Sequence, residues 1–88
     1  MERRTRYDIY TSILDNVRRK GSIGITRISY GVNIPVDRAK LAVSFLVERG
    51  LIEEEEYGET KTYKLTARGG ESLQALKTVK RYFSSEHD

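Results

Sequence analysis

The fold is decided by residues 26–50, which read TRISYGVNIPVDRAKLAVSFLVERG. Thr26 can cap a short helix over residues 27–31, and a turn follows that helix. Pro35 suits the start of a second helix, because its missing N–H costs nothing at that position. We expect this second helix to cover about residues 36–49.

The 36–49 segment has two contrasting faces. Ala39, Val43 and Leu46 fall on one stripe at helical spacing, which predicts a buried face. The opposite face carries a mixed set of side chains, namely Asp37, Arg38, Lys40, Leu41 and Ser44. A short helix, a short link and a longer helix with one free face together predict a helix-turn-helix unit.

A further helix, over about residues 5–20, precedes this unit. Thr5 and Asp8 have the spacing of a capping box, and Gly21 follows three basic residues as a stop signal. An apolar stripe at helical spacing consists of Ile9, Ile13, Leu14 and Val17. Only a stub of strand fits between this helix and the helix-turn-helix unit.

After Gly50 the apolar residues recur at every second position instead of at helical spacing, which predicts a β-hairpin over residues 51–66. Thr66 can cap a last helix over about residues 67–84. Its apolar stripe consists of Leu73, Leu76, Val79 and Phe83. The order of elements predicts a winged helix-turn-helix fold, an α+β fold that is mainly helical, in a single domain of residues 1–88.

Composition limits the classes of function. The 88 residues include no cysteine, which excludes disulfides and thiolate metal sites, and no apolar run is long enough to cross a membrane. We therefore expect a cytoplasmic protein with no membrane partner. Residues 1–44 carry nine basic and four acidic side chains, whereas residues 45–88 carry seven and nine. The basic first half favours a polyanionic partner.

Three blocks carry a family resemblance: TRISYGVNI at 26–34, FLVERGLI at 45–52 and YKLTARG at 63–69. In this order and at this spacing they resemble the archaeal winged-helix DNA-binding proteins, in particular the small Sulfolobus chromatin-associated type. The resemblance implies duplex DNA binding at the nucleoid and a homodimer joined through the C-terminal helix. The sequence departs from that family in a shorter last helix and in an acidic wing, with Glu53 to Glu56 and Glu59.

Several side chains are candidates for contacting DNA. Arg38 and Lys40 could reach base edges or phosphates from the free face of the 36–49 helix, or could simply be solvated there. Leu41 could touch a thymine methyl or pack against a neighbour. The other candidates for DNA contact are Arg27, Tyr30, Ser44, Lys61 at the wing, and a basic arm of Arg3, Arg4 and Arg6.

Two of these candidates have equally simple structural roles. Lys61 could form a cross-strand ion pair with the wing glutamates, and the arm could be a solvated terminus. For dimerisation the candidates are Leu73, Leu76, Val79 and Phe83, because little else in the chain would cover them.

Rival classes of function fit less well. The single histidine, His87, lies beside the terminus, and no phosphate loop, catalytic set or metal-ligand spacing is present. We therefore expect no enzyme activity, no cofactor and no metal. The serious alternative is a winged-helix module for protein–protein interaction or dimerisation, which the acidic wing would suit. The sequence leaves open whether a DNA-binding form is a transcriptional regulator or a chromatin protein.

Overall fold

The computed structural model describes residues 4–84, and its first helix, α1, spans Arg6–Lys20. The capping box is present as predicted: the Thr5 N–H donates to Asp8 Oδ2 at 2.9 Å, and the Asp8 N–H donates to Thr5 Oγ1 at 3.1 Å. At the other end Gly21 has φ 86°, and its N–H donates to the Val17 carbonyl at 2.8 Å. The sequence therefore located both ends of α1 correctly.

The second helix, α2, spans Ile25–Val32 and is longer than the 27–31 segment expected. Gly24, not Thr26, occupies the N-cap, and its carbonyl accepts from the Ile28 N–H at 3.0 Å. The expectation that Thr26 caps this helix is wrong, because Thr26 lies exposed within the first turn. The earlier start brings the partly buried Ile25 against the core.

The turn after α2 is fixed by a left-handed residue and a buried hydroxyl. Asn33 has φ 62° and ψ 50°, a conformation that asparagine tolerates better than most residues. The Ser29 hydroxyl donates to the Ile34 carbonyl at 2.6 Å, and the Ile34 N–H donates to the Ser29 carbonyl at 3.1 Å. These bonds hold the third helix, α3, which spans Val36–Glu48, in a set position relative to α2.

A β-hairpin follows α3 and forms the wing, residues 52–65. Strands β1 (Ile52–Tyr57) and β2 (Thr60–Leu65) pair antiparallel, with Ile52 opposite Leu65 and Tyr57 opposite Thr60. The expected strand stub is present as a single bridge. Ile23 N–H donates to the Tyr63 carbonyl at 3.1 Å, and Tyr63 N–H donates to the Ile23 carbonyl at 2.9 Å. The stub joins the wing to the start of α2.

The last helix, α4, spans Ala67–Ser84 and begins at the expected cap. The Gly69 N–H donates to Thr66 Oγ1 at 3.0 Å. Gly69 is buried, and a Cβ atom there would overlap the carbonyl oxygen of Leu51. The glycine therefore allows the first turn of α4 to approach the base of the wing closely, which offsets its poor helix propensity.

The core lies between α1, α2, α3, the base of the wing and α4. The stripes predicted for α1 and α3 both point into it, and Leu73 of α4 is 2% exposed there. Two ion pairs join α4 to α1: Lys77 Nζ lies 3.0 Å from Asp15 Oδ1, and Lys80 Nζ lies 2.9 Å from Asp8 Oδ1. Among residues 4–84, no helix is both long and apolar enough to cross a membrane.

Candidate nucleic-acid interface

The solvent-facing side of α3 is the one that the sequence predicted. Its side chains Asp37, Arg38, Lys40, Leu41 and Ser44 are all exposed. Leu41 is 74% exposed, so the described chain covers little of it. The packing role that the sequence left open for Leu41 is thus not met within the described chain, and an apolar side chain is exposed between two cations.

The outer side of α2 extends this surface. Arg27 is exposed, and the ring of Tyr30 is 82% exposed, so Tyr30 is not used for packing within the protomer. We call the exposed side of α2 and α3 the helix-turn-helix face. It consists of Arg27, Tyr30, Asp37, Arg38, Lys40, Leu41 and Ser44.

The cations of this face have no acidic partner in the described chain. Within residues 4–84, no salt bridge engages Arg27, Arg38 or Lys40. Elsewhere carboxylates pair with half of the remaining basic side chains of residues 4–84, namely Arg18, Arg19, Lys61, Lys64, Lys77 and Lys80. The helix-turn-helix face therefore keeps an uncompensated positive charge that can attract a polyanion.

The N-terminal segment lies against this face. Arg4 Nη1 donates to the Val32 carbonyl at 2.8 Å, at the last residue of α2. Arg4 and Arg6 line a shallow pocket of about 250 Å³ together with Arg38 and Leu41 of α3. Arg3, also predicted to contact DNA, lies outside the described residues. Nothing in the local sequence pattern indicated the Arg4–Val32 bond, because its partners are 28 residues apart.

On its other flank, α3 faces the wing. Lys40 and Ser44 line a second recess of about 290 Å³ with Glu54, Lys61 and Tyr63. Burial and the neighbouring Glu54 raise the pKa of Tyr63, so its hydroxyl stays protonated at neutral pH. The exposed face of α3 thus has an arginine-rich flank toward α1 and a mixed flank toward the wing.

The wing neutralises its own cations. Lys61 Nζ lies 3.6 Å from Glu54 Oε2 and 3.8 Å from Glu56 Oε2, which is the ion-pair role that the sequence left open for Lys61. Lys64 Nζ lies 3.3 Å from Glu55 Oε2, and the hydrogen bond to Glu55 raises the pKa of Lys64. With five glutamates and two lysines, the wing has a net charge of −3.

The apolar stripe of α4 divides into a buried and an exposed part. Leu73 lies in the protomer core, so the expectation that it contacts a partner subunit is corrected: a side chain so fully covered presents no surface to another chain. Leu76 is partly buried, whereas Val79 is 51% and Phe83 64% exposed. Near Leu76, an apolar groove of about 330 Å³ is lined by Tyr7, Tyr10, Phe45, Leu51 and Ala75, among others.

These elements define a winged helix-turn-helix protein: three helices, a two-stranded wing and a C-terminal helix packed on α1. A family model described as winged helix-turn-helix matches residues 3–84, and the chain belongs to that family. No curated protein matches the chain.

Among solved structures, the chain is similar to Sso10a-2, described as a DNA-binding protein from Sulfolobus solfataricus. The two are 25% identical with a TM-score of 0.85, over 97% of this chain and 86% of that one. This similarity agrees with the archaeal family that the three sequence blocks resemble.

Two transcriptional regulators share the fold at lower identity. BldR from Sulfolobus solfataricus is 17% identical with a TM-score of 0.79, over 89% of this chain and 58% of that one. A MarR-family regulator from Silicibacter pomeroyi is 18% identical with a TM-score of 0.70, over 89% of this chain and 57% of that one. At these identities the likeness concerns the fold, and this chain spans a little over half of either regulator.

Proposed function

We propose that the protein binds duplex DNA by placing α3 in the major groove. The observation that carries the proposal is the set of cations on the helix-turn-helix face that have no acidic partner in the described chain. Binding a phosphate chain releases condensed counterions, and cations already neutralised within the protein contribute little to that release. A face that groups several unpaired cations is therefore suited to meet DNA.

The geometry of α3 suits this role. Its 13 residues correspond to a rod about 20 Å long, and a major groove about 12 Å wide admits an α-helix. Arg38 and Lys40 contact the duplex from the exposed side, and Ser44 donates to a phosphate. Leu41 touches a thymine methyl, which is the apolar contact that the major groove offers.

The α2 helix crosses the DNA backbone beside α3. Arg27 and the exposed Tyr30 contact phosphates there, as the first helix of such a unit does. The wing makes a minor contribution, because its two lysines are occupied by glutamates and its net charge opposes approach to phosphate.

The biological class that follows is a DNA-binding regulator at the nucleoid, acting without catalysis. The name of Sso10a-2 as a DNA-binding protein and the regulators that share the fold support this class. Selection of bound duplexes from a randomised pool separates a regulator from a chromatin protein. Enrichment of one motif supports the regulator, and an unenriched pool supports a protein that coats DNA.

We also propose a homodimer joined through α4. The exposed Val79 and Phe83 continue the stripe of Leu76 beyond the protomer core, and the groove beside Leu76 is apolar. Burying these side chains between two copies would remove apolar surface from water. Sedimentation equilibrium tests it: we expect a dimer for the natural protein and a monomer for Val79→Glu. A natural protein that stays monomeric at high micromolar concentration would rule the dimer out.

The test of DNA binding is a salt titration. We expect the logarithm of the association constant for a random-sequence duplex to fall linearly with the logarithm of salt concentration, with a slope that reports several released counterions. A slope near zero would contradict the proposal.

One observation favours a second function, an adaptor for a basic protein, and it is the wing with net charge −3. Under that alternative duplex DNA binds weakly or not at all. Neutralising wing glutamates then abolishes the partner's binding, whereas variants of the helix-turn-helix face leave it unchanged.

A further inference from the structure

A single recess connects the N-terminal segment with α3. The pocket of about 250 Å³ lined by Arg4, Arg6 and Arg38 shares four residues with a neighbouring recess, and that recess continues to the turn at Asn33 and Pro35. We call the two together the arginine recess. Its lining also includes apolar side chains, among them Ile9, Ile34 and Leu41.

The charge of the arginine recess is of one sign. Three arginines line it, and no acidic side chain of the described chain does. The nearest acid along α1, Asp8, is engaged elsewhere: its carboxylate accepts from the Thr5 N–H and pairs with Lys80 of α4. A recess with three guanidinium groups and no carboxylate is suited to a phosphate, which guanidinium can bind through two parallel hydrogen bonds.

Arg4 differs from the other two arginines because the protein already uses its guanidinium. Its bond to the Val32 carbonyl satisfies a group that the end of α2 leaves without a helical partner. The same bond ties residues 4–6 to the helix-turn-helix unit. No such bond holds Arg6 or Arg38 within residues 4–84, so their guanidinium groups remain available to a ligand.

We propose that the arginine recess clamps one backbone phosphate of the bound duplex, with Arg6 and Arg38 as its contacts and Arg4 as the residue that positions Arg6. The proposal rests on the proposed function and refines it. Residues 4–6 are a docked part of the interface, and Arg38 holds the backbone, so that discrimination between bases falls to Leu41 and to the Lys40 flank of α3.

Salt-dependent binding to a random-sequence duplex tests the clamp. We expect Arg6→Ala and Arg38→Ala each to reduce the slope of log affinity against log salt by about 0.9, the value for one lost phosphate contact. The matched control is Arg68→Ala, which removes an exposed arginine of α4 that lies beside Gly50. This variant should keep the slope of the natural protein. Thermal melts confirm that each variant is folded.

A double-mutant cycle tests the positioning role. We expect Arg4→Ala to reduce the slope as Arg6→Ala does, to add little when both are changed, and to be rescued by Arg4→Lys, which can still donate to the Val32 carbonyl. Additive losses would show that Arg4 contacts DNA itself and would overturn this role.

The outcomes separate the clamp from DNA binding as such. If the natural protein binds DNA with a steep slope, and Arg4→Ala and Arg6→Ala both match Arg68→Ala, the clamp is wrong and the proposed function stands. If the natural protein shows no salt-dependent binding, the proposed function fails. Inorganic phosphate, titrated at constant ionic strength, should not saturate the arginine recess. If phosphate does saturate it, and the variants keep the natural slope of log DNA affinity against log salt, the recess binds a free anion and the clamp is wrong.

Discussion

The helix-turn-helix face and the wing both carry lysine or arginine side chains, but only the wing neutralises them. Lys61 and Lys64 each lie within 4 Å of two glutamates, whereas Arg38 and Lys40 have no salt bridge in the chain from residue 4 to residue 84. A count of basic residues is therefore a poor guide to a polyanion site. What matters is which uncompensated cations the fold groups on one exposed face.

Local geometry explains the difference. In the wing the antiparallel register places Glu53 opposite Lys64 and Glu56 opposite Lys61, so unlike charges meet across the pair. On α3 the residues three and four positions after Arg38 are Leu41 and Ala42, which offer no carboxylate at the spacing that brings helical side chains together. Asp37 lies three positions before Lys40, but the two form no salt bridge.

The largest effect is expected when the uncompensated cations are removed. Arg38→Ala combined with Lys40→Ala should lower affinity for duplex DNA by about 30-fold to about 20,000-fold, since each of the two lost contacts is worth about 1–3 kcal/mol. Fluorescence anisotropy with a labelled duplex measures the loss.

The matched control for that pair removes two arginines near the C-terminal end of α3. Arg49 stacks on the ring of Phe45, with 4.7 Å between its guanidinium carbon and the ring centroid, and Arg68 lies beside Gly50. Arg49→Ala with Arg68→Ala should keep most of the affinity. Equal losses in both double variants would mean that net charge alone, and no particular face, drives binding.

Disturbing the contact between α4 and the base of the wing should lower the stability of the fold and should affect DNA affinity less. Gly69→Ala places a methyl group against the Leu51 carbonyl, which accepts from the Thr66 N–H at 3.1 Å. We expect a loss of about 2–3 kcal/mol in the free energy of unfolding, as for overpacking in a core. Urea denaturation measures it.

Gly70→Ala serves as the control for that variant, because a Cβ at Gly70 meets only Leu65 Cδ2, at an ordinary 3.8 Å. It should leave stability unchanged or raise it by up to about 1 kcal/mol through better helix propensity. A Gly69→Ala protein as stable as Gly70→Ala would show that α4 does not depend on the close approach to Leu51.

Reversing a charge at the tip of the wing should have a smaller effect, and a favourable one. Glu59→Lys should raise affinity for DNA about three- to tenfold by reducing repulsion of phosphate. Glu71→Lys makes the same change at an exposed position of α4 and should raise affinity less. Reduced affinity in Glu59→Lys would indicate that the acidic tip itself takes part in recognition.

Acid should lower the stability of the fold by protonating two carboxylates that form ion pairs, Asp8 and Asp15. The backbone hydrogen bond from Thr5, with help from Lys80, lowers the pKa of Asp8 to about 2. Burial raises the pKa of Asp15, but hydrogen bonds from Lys77, Arg18 and Arg19 outweigh it and bring the pKa to about 2. Both carboxylates therefore stabilise the fold fully above pH 3.8, and this contribution is lost as the pH falls to about 2.

The expected size of the acid effect is a loss of about 1–2 kcal/mol in unfolding free energy, allowing for solvent screening. Thermal melts between neutral pH and the acid range measure it, with Asp8→Asn/Asp15→Asn as the control that should lose less. An identical pH dependence in that variant would show that other carboxylates cause the acid destabilisation.

Much of the fold could be predicted because its signals are local. The capping box of α1, the cap at Thr66 and the buried stripe of α3 all depend on residues within a few positions of each other. The start of α2 could not be located from the sequence, because packing of Ile25 against the core decided it over the capping preference of Thr26.

The candidate site was predictable residue by residue but not as an arrangement. The sequence placed Arg38, Lys40 and Leu41 on one exposed face, as the structure does. The sequence could not show that Arg4 donates to the Val32 carbonyl or that Leu73 is buried in the core, since both depend on contacts between distant segments.

The most direct test of the central claim maps the contact surface residue by residue. A duplex titrated into the isotope-labelled protein at low salt should shift the amide resonances of residues 4–6 and of residues 26–44 most strongly. Residues 52–65 of the wing should shift much less. A titration in which the wing shows the largest shifts, while α3 stays unperturbed, would contradict the account.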